Sequence, residues 1–294
     1  QLQTNEDLLE ELSDPMAQVI LSYRRLTKLL GTYIVPYRYV PDTKEPVIRA
    51  YTHFRQDLSS MRLASYDRNE QNVPPPIREI YEADSGVWSW MDDSQIELRI
   101  AAEISQDSVM LAAYKNGDDV HSITQKSLWP DSDVTDEDYR LRAKTFGFAM
   151  LYRAVPRTLS KHTKLPVQVC GPYRDQWLAT YPELADWQLE TIQDGWTNGY
   201  ATSMYGRRMR LPHHFDMGGS IEHTEKCAVN YPIQGTGFDV IARQMLSCWN
   251  MGMDIALQVH DELLIDGVVD FPESLSDMGK LYTPFKTHKS VTWI

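Results

Sequence analysis

Three things are scarce in this 294-residue chain, and each scarcity excludes something. No stretch approaches the roughly 18 consecutive apolar residues that a membrane-spanning helix needs, so no membrane is expected as a partner. Cysteine is limited to Cys170, Cys227 and Cys248, far apart and without C-x-x-C spacing. That leaves no zinc ligand set and no disulfide framework, and it fits a reducing, intracellular compartment. Positive charge is also short, with 29 Lys and Arg against 41 Asp and Glu and a net charge of −12. Phosphate contacts need clustered cations, so this balance counts against nucleic acid as a partner. Net charge averages over a surface, however, and an acidic protein can hold a basic groove. Repeats, low-complexity tracts and a signal peptide are missing too, and the chain opens at Gln1 without a methionine, so an N-terminal address preceding it is left open.

What is present reads as one large folded unit or two to three interdigitated subdomains, with 42% hydrophobic and 24% charged residues. Thr4 and Asp7 form a capping-box-like start to a helix running to Ser13, and Gln18 to Tyr33 continues as an amphipathic helix carrying Arg24, Arg25 and Lys28. Pro36, Pro41 and Pro46 break regular structure after that helix, and Pro74 to Pro76 forms a stiff connector. Val87 to Asp92 reads as a strand, Ser94 to Ile104 as a helix, and Asp138 to Tyr152 and Pro182 to Thr197 as further helices. Met204 to Leu211 reads as a strand entering a Gly-rich loop around Gly218; Asn230 to Trp249 is helical, and Ile255 to Val269 is a hairpin. Helices and strands mix without βαβ alternation, which points to an α+β fold.

Three constellations carry chemistry. In Trp90-Met91-Asp92-Asp93-Ser94-Gln95-Ile96-Glu97-Leu98-Arg99 a buried-looking strand ends in a carboxylate and a helix begins at once. A strand end can hold a hard oxygen ligand rigidly for a magnesium-class ion. The plainer reading is a surface acid at a turn, with Ser94 and Glu97 forming an ordinary capping box. Arg140, Lys144, Phe148 and Tyr152 recur every four residues. On a helix they span about 18 Å of one slowly turning face, comparable to a nucleoside triphosphate. Cations suit phosphates and rings suit a base and sugar, although a plain amphipathic helix with snorkelling cations has the same pattern. Gly147 inside that helix costs about 1 kcal/mol against alanine, which points to close packing or bending. Gln258-Val259-His260-Asp261-Glu262-Leu263 places acids at a hairpin tip, where solubility alone would also put them. No serine or cysteine lies in a nucleophile-elbow context, so a His-Asp pair for nucleophilic chemistry is disfavoured.

In their order these segments resemble family A (Pol I-like) DNA polymerases, from about Thr4 almost to the end. Asp92 to Arg99 resembles motif A, Arg140 to Tyr152 motif B (the O helix), and His260-Asp261-Glu262 motif C. Linking segments match as well: Arg62-Leu63 through Asn72-Val73-Pro74, Asp119-Val120-His121, Gly206-Arg207-Arg208 and Gln234-Gly235-Thr236. The Lys144-Thr145-Phe146 wording is closer to phage-type members. The resemblance implies a right-hand fold with an antiparallel-sheet palm, helical fingers and a partial thumb. Residues 1–45 would be a thumb remnant, 46–105 and 216–294 the palm, and 106–215 the fingers, with the O helix at 138–153.

The same resemblance implies a site. Asp92, Asp261, Glu262 and Lys144 would be the catalytic group, and Asp92, Asp261 and the backbone carbonyl of Asp93 would hold two Mg2+ ions, with Mn2+ as a substitute, about 3.5–4 Å apart. Arg140, Lys144 and His121 would grip the phosphates of a deoxynucleoside triphosphate. Phe148 would pack on that nucleotide, Tyr152 would lie near the templating base, and Glu97, with Gln95 nearby, would crowd the nucleotide's 2′ position. Arg62, Asn230, Gln234 and His260 would contact primer-template DNA, with Gln71 and Asn72 beside them. A monomer in the cytoplasm, nucleoid or an organelle is expected, with an exonuclease or thumb segment upstream. Three departures stand out: Asp93 where the family has an aromatic residue, adding a charge beside the metals; Arg153 for glycine; and Lys226 for arginine. A polymerase-shaped binding module without turnover and an enzyme copying RNA templates remain as alternatives.

Overall fold

The structure, a computed structural model, describes residues 5–10, 12–37, 49–133, 135–212 and 220–293. Thr4, Pro41, Pro46 and the loop around Gly218 lie outside them. Two helices open the chain, α1 (Glu6–Glu10) and α2 (Pro15–Leu29). Asn5 Oδ1 accepts from Leu8 N at 3.0 Å in the first turn of α1, and Asp14 caps α2. After α2 come β1 (His53–Arg55), β2 (Ala64–Tyr66), α3 (Pro75–Arg78) and β3 (Trp88–Asp93). Seven helices come next: α4 (Ile96–Ser105), α5 (Ser108–Asn116), α6 (Val120–Leu128), α7 (Glu137–Leu151), α8 (Pro156–Thr163), α9 (Val167–Thr180) and α10 (Pro182–Asn198). A short hairpin of β4 (Tyr200–Thr202) and β5 (Arg208–Arg210) leads to the long helix α11 (Ile221–Asn250), then β6 (Asp254–Val259), β7 (Glu262–Asp266) and β8 (Phe285–Ser290).

The central sheet has the order β6-β7-β3-β8 and every pairing in it is antiparallel. Strand β3 sits inside because its two faces are both apolar. Trp88 and Trp90 pack with Val73, Ile77, Leu264 and Trp293, while Met91 packs with Ile241, Cys248, Leu263 and Leu275. The mixture of helices with an antiparallel sheet is the α+β class expected. A second core is helical: Ile100, Met110, Phe146, Met150, Leu151, Trp177, Tyr181 and Leu184 gather between α4 and α10, with Ile233 and Val240 of α11 completing it.

Helix α7 begins one residue before its expected start, because Asp136 caps it through bonds from Asp138 N and Tyr139 N. Its far end is a Schellman motif, in which Arg153 N donates to Met150 O and Ala154 N to Ala149 O, both at 2.9 Å. A methyl group at Gly147 would touch Trp177 Nε1 at an ordinary 3.9 Å, so close packing does not demand this glycine. The expected strand over 204–211 shrinks to β5, because Ser203 accepts from Gly206 N and the chain turns there.

Candidate active site

Motif A sits where β3 ends. Strand alternation sends the side chains of Asp92 and Asp93 to opposite faces. Asp92 is opposite Glu262 of β7 and Lys286 of β8 in the sheet register. Burial raises its carboxyl above the ordinary value, offset by the positive charges of Lys286, His288 and Lys144. Asp261 occupies the tight turn between β6 and β7, after His260 with φ at 54°. Its backbone oxygen accepts from Asp93 N at 3.1 Å, which pins the motif C turn to the end of β3. Burial and the neighbouring charge of Asp92 push the Asp261 carboxyl up to about 6.

Asp93 departs from expectation. Its side chain is only 1% exposed and points beneath the sheet, where Oδ1 accepts from Gln244 Nε2 of α11 at 3.0 Å. Burial pushes this carboxyl up to about 7, with Gln244 and Thr283 pulling against it and the charges of Asp261 and Asp92 adding to the rise. The extra acid is therefore tucked into the core, and only its backbone is placed for a ligand role. Glu262 also turns away from the reacting edge: its Oε1 accepts from Trp293 Nε1 at 3.0 Å and its Oε2 faces Arg78 at 3.6 Å. These two contacts brace Glu262 on β7, directly across from Asp92.

Asp92, Asp93, Gln95 and Asp261 line a cleft of about 680 Å³ whose other wall carries Asp119, His121, Arg140, Lys144 and Phe148. Residues distant in sequence meet here because β3 pairs with β7 while α7 packs its opposite face, Ala143, Phe146, Met150 and Leu151, into the helical core. Burial holds the His121 imidazole below its usual range, with Arg140 and Lys144 adding to this and Asp119 opposing it. Its ring lies 5.9 Å from that of Phe148. Arg140 Nε donates to Asp119 Oδ2 at 3.0 Å.

The capping box does not form at α4. Gln95 takes the cap position in a left-handed conformation, and its side chain makes no capping bond to the helix. Glu97 instead accepts from Arg62 Nη2 at 2.5 Å and from the hydroxyl of Tyr152. This joins motif A to the end of α7, and Gln234 reaches the same hydroxyl. Arg62, His260 and Asp261 line a small adjoining recess. Gln71, by contrast, is buried: it donates to Gln258 Oε1 at 2.9 Å and accepts from Ser65 N, so it supports the motif C hairpin rather than facing a ligand. Asn72 is exposed, and Asn230 has a buried Oδ1 without a partner among the described residues.

Sequence reasoning missed Lys286, Arg99, Tyr114 and Asp118, all of which line the cleft. Arg99, although it ends the motif A segment, shows its place only here, stacking on Tyr114 at 4.2 Å and donating to Ser94 O. Among the described residues, no group of three His, Cys, Asp or Glu side chains is arranged to hold a metal ion. Two carboxylates and a backbone carbonyl nevertheless fit magnesium, which usually keeps waters and takes its remaining ligands from substrate phosphates. Burial and, after it, repulsion from Asp92 raise Asp261, and a divalent cation would relieve both.

Carboxylates on strand ends across a cleft from a cationic helix form a site that can seat a polyphosphate between opposite charges. Residues 1–278 match the profile of DNA polymerase family A, and the chain belongs to that family. The thermostable DNA polymerase I of Thermus aquaticus is 32% identical over 94% of this chain and 35% of its own length. DNA polymerase I of Deinococcus radiodurans is 34% identical over 95% of this chain and 31% of its own. The chain thus spans about a third of these relatives. The POL domain of Pol1 from M. smegmatis, solved in complex with DNA primer-template and dNTP, superposes with a TM-score of 0.82 at 24% identity, covering 99% of this chain and 56% of that one. That likeness carries the fold.

Proposed function

We propose that the chain is a template-directed DNA polymerase domain that adds deoxynucleotides to a primer 3′-hydroxyl. One observation carries the reading: the two motif aspartates share a cleft with Arg140, Lys144, His121 and Phe148. The central sheet with α4 and α11 is the palm, α5 to α10 with the β4–β5 hairpin the fingers, and α1 and α2 part of a thumb. Asp92, Asp261 and the carbonyl of Asp93 would hold two magnesium ions, which would supply an acidified hydroxyl and charge neutralisation at the phosphates.

The chain's own side chains do the rest. Arg140 and Lys144 hold the triphosphate in line for attack, so catalysis is mainly positioning and electrostatic stabilisation. Lys144, close enough to favour the ionised form of Asp92, gives a proton to the departing pyrophosphate. His121 is held neutral before phosphate arrives, and a bound anion reverses that shift. Phe148 packs on the base and sugar. Glu97, clamped between Arg62 and Tyr152, is fixed where a ribose 2′-hydroxyl would intrude. Arg62, His260, Gln234, Asn230 and Asn72 line the path of primer-template DNA.

Primer extension tests this. The parent chain is expected to extend with deoxynucleotides and magnesium, and Asp92→Ala and Asp261→Ala are each expected to lower kcat by at least about 1000-fold, the scale of losing electrostatic stabilisation. Both variants extending at the parent's rate would refute the metal assignment.

A further inference from the structure

Asp119 lies in the cleft wall, and the polymerase reaction gives it no part. It is nonetheless the most heavily bonded carboxylate there. Oδ2 accepts from Arg140 Nε at 3.0 Å and from Ser122 Oγ at 3.1 Å, and Oδ1 accepts from His121 N at 3.3 Å and Gln95 Nε2 at 3.4 Å. Those donors come from α7, from α6 and from the motif A turn. A residue needed only to cap α6 would use the bonds from His121 and Ser122 and no others.

The geometry at Arg140 is selective. Asp119 takes Nε, the nitrogen nearest the chain, while Nη1 has only a distant neighbour in Glu137 at 3.9 Å. The two terminal nitrogens, the pair that grips phosphate oxygens side by side, are left for the cleft. Burial alone would raise the Asp119 carboxyl, but His121, Arg140 and its hydrogen bonds outweigh that and hold it below its ordinary range, so it is charged near neutrality. A competitor for phosphate would occupy the terminal nitrogens instead.

We propose that Asp119 is a positioning residue for the incoming nucleotide: it locks the Arg140 guanidinium through Nε and ties that orientation to His121 and Gln95. The inference rests on the polymerase reading. Asp119→Ser isolates it, because serine caps a helix about as well as aspartate but is too short to reach Arg140. The expected result is a rise of about tenfold in KM for the correct dNTP, the scale of one charge-assisted hydrogen bond, with kcat within about twofold.

Asp119→Asn keeps the reach and the cap and loses the charge, so a smaller rise, roughly threefold, is expected and serves if the serine variant does not fold. In an Arg140→Lys background, which has no Nε, Asp119→Ser should change KM by less than about twofold, the signature of one shared interaction. Equilibrium binding of dNTP to protein on a primer lacking its 3′-hydroxyl should track KM. An unchanged or lowered KM for Asp119→Ser, or equal effects in both backgrounds, overturns the inference. A parent chain that neither binds dNTP nor extends a primer defeats the polymerase reading instead.

Discussion

Asp93 shows how one acidic side chain can be kept in a core. Its Oδ2 has no partner of good geometry, and neither do Gln244 Oε1 and Thr283 Oγ1 beside it. A protonated carboxyl adds a donor to this group of oxygens beside the Thr283 hydroxyl, which agrees with burial pushing the value up to about 7. A carboxyl raised in the fold stabilises it fully below the ordinary value of 3.8 and loses that contribution as pH climbs through the raised one, about 6 for Asp261 and about 7 for Asp93. Urea unfolding of metal-free protein is therefore expected to show these two groups favouring the fold at pH 5 over pH 8. Asp93→Asn, whose amide donates where the proton did, should raise the midpoint at pH 8 and leave it nearly unchanged at pH 5. Divalent ions need the ionised forms, so their apparent affinity, measured by titration calorimetry, should be about tenfold weaker at pH 5 than at pH 8 from Asp261 alone.

At the scale of elements, the end of α7 carries a cost in plain view. Arg153 has φ at 55°, the left-handed region that glycine enters freely and that costs other residues about 1–2 kcal/mol. Arg153→Gly is expected to stabilise the protein by about 1 kcal/mol, read as a higher unfolding midpoint, because it removes this strain at the residue just past the cap. The sequence marked Arg153 as a departure from glycine, and the backbone supplies the reason that glycine is usual. Helix α7, strand β3 and the β6–β7 hairpin were legible because period and motif agreed over each. Strand β8 was not. Its Lys286-Thr287-His288-Lys289 core lacks apolar alternation, and an edge strand held by backbone bonds and guarded by charges needs none. Lys286 was lost with it. Glu97 was read both as a cap and, through the resemblance, as a residue crowding a 2′ position, and its partners Arg62 and Tyr152, far away in sequence, exclude the cap.

Across the whole molecule, the net charge of −12 sits beside cations gathered in few places. Arg24, Arg25 and Lys28 are exposed on α2, and Arg207, Arg208 and Arg210 lie on and beside β5. Under the polymerase reading, those six and Arg62 are the seven cations that we assign to duplex phosphate contacts. The log-log slope of primer-template affinity against salt, measured by fluorescence anisotropy, is expected to be no steeper than about −6, at roughly 0.9 per contact.

The central place of β3 between β7 and β8 also has a consequence for biosynthesis. The strand bearing the first aspartate leaves the ribosome long before either flanking partner has been translated, and its two tryptophans must wait uncovered. Pairing across so much intervening chain is slow, and exposed strands of this kind invite chaperones and aggregation in the interval. Under the polymerase reading, a polypeptide terminated before Asp261 would lack both the second carboxylate and the strand β7 that pairs with β3, so abortive translation products would be silent.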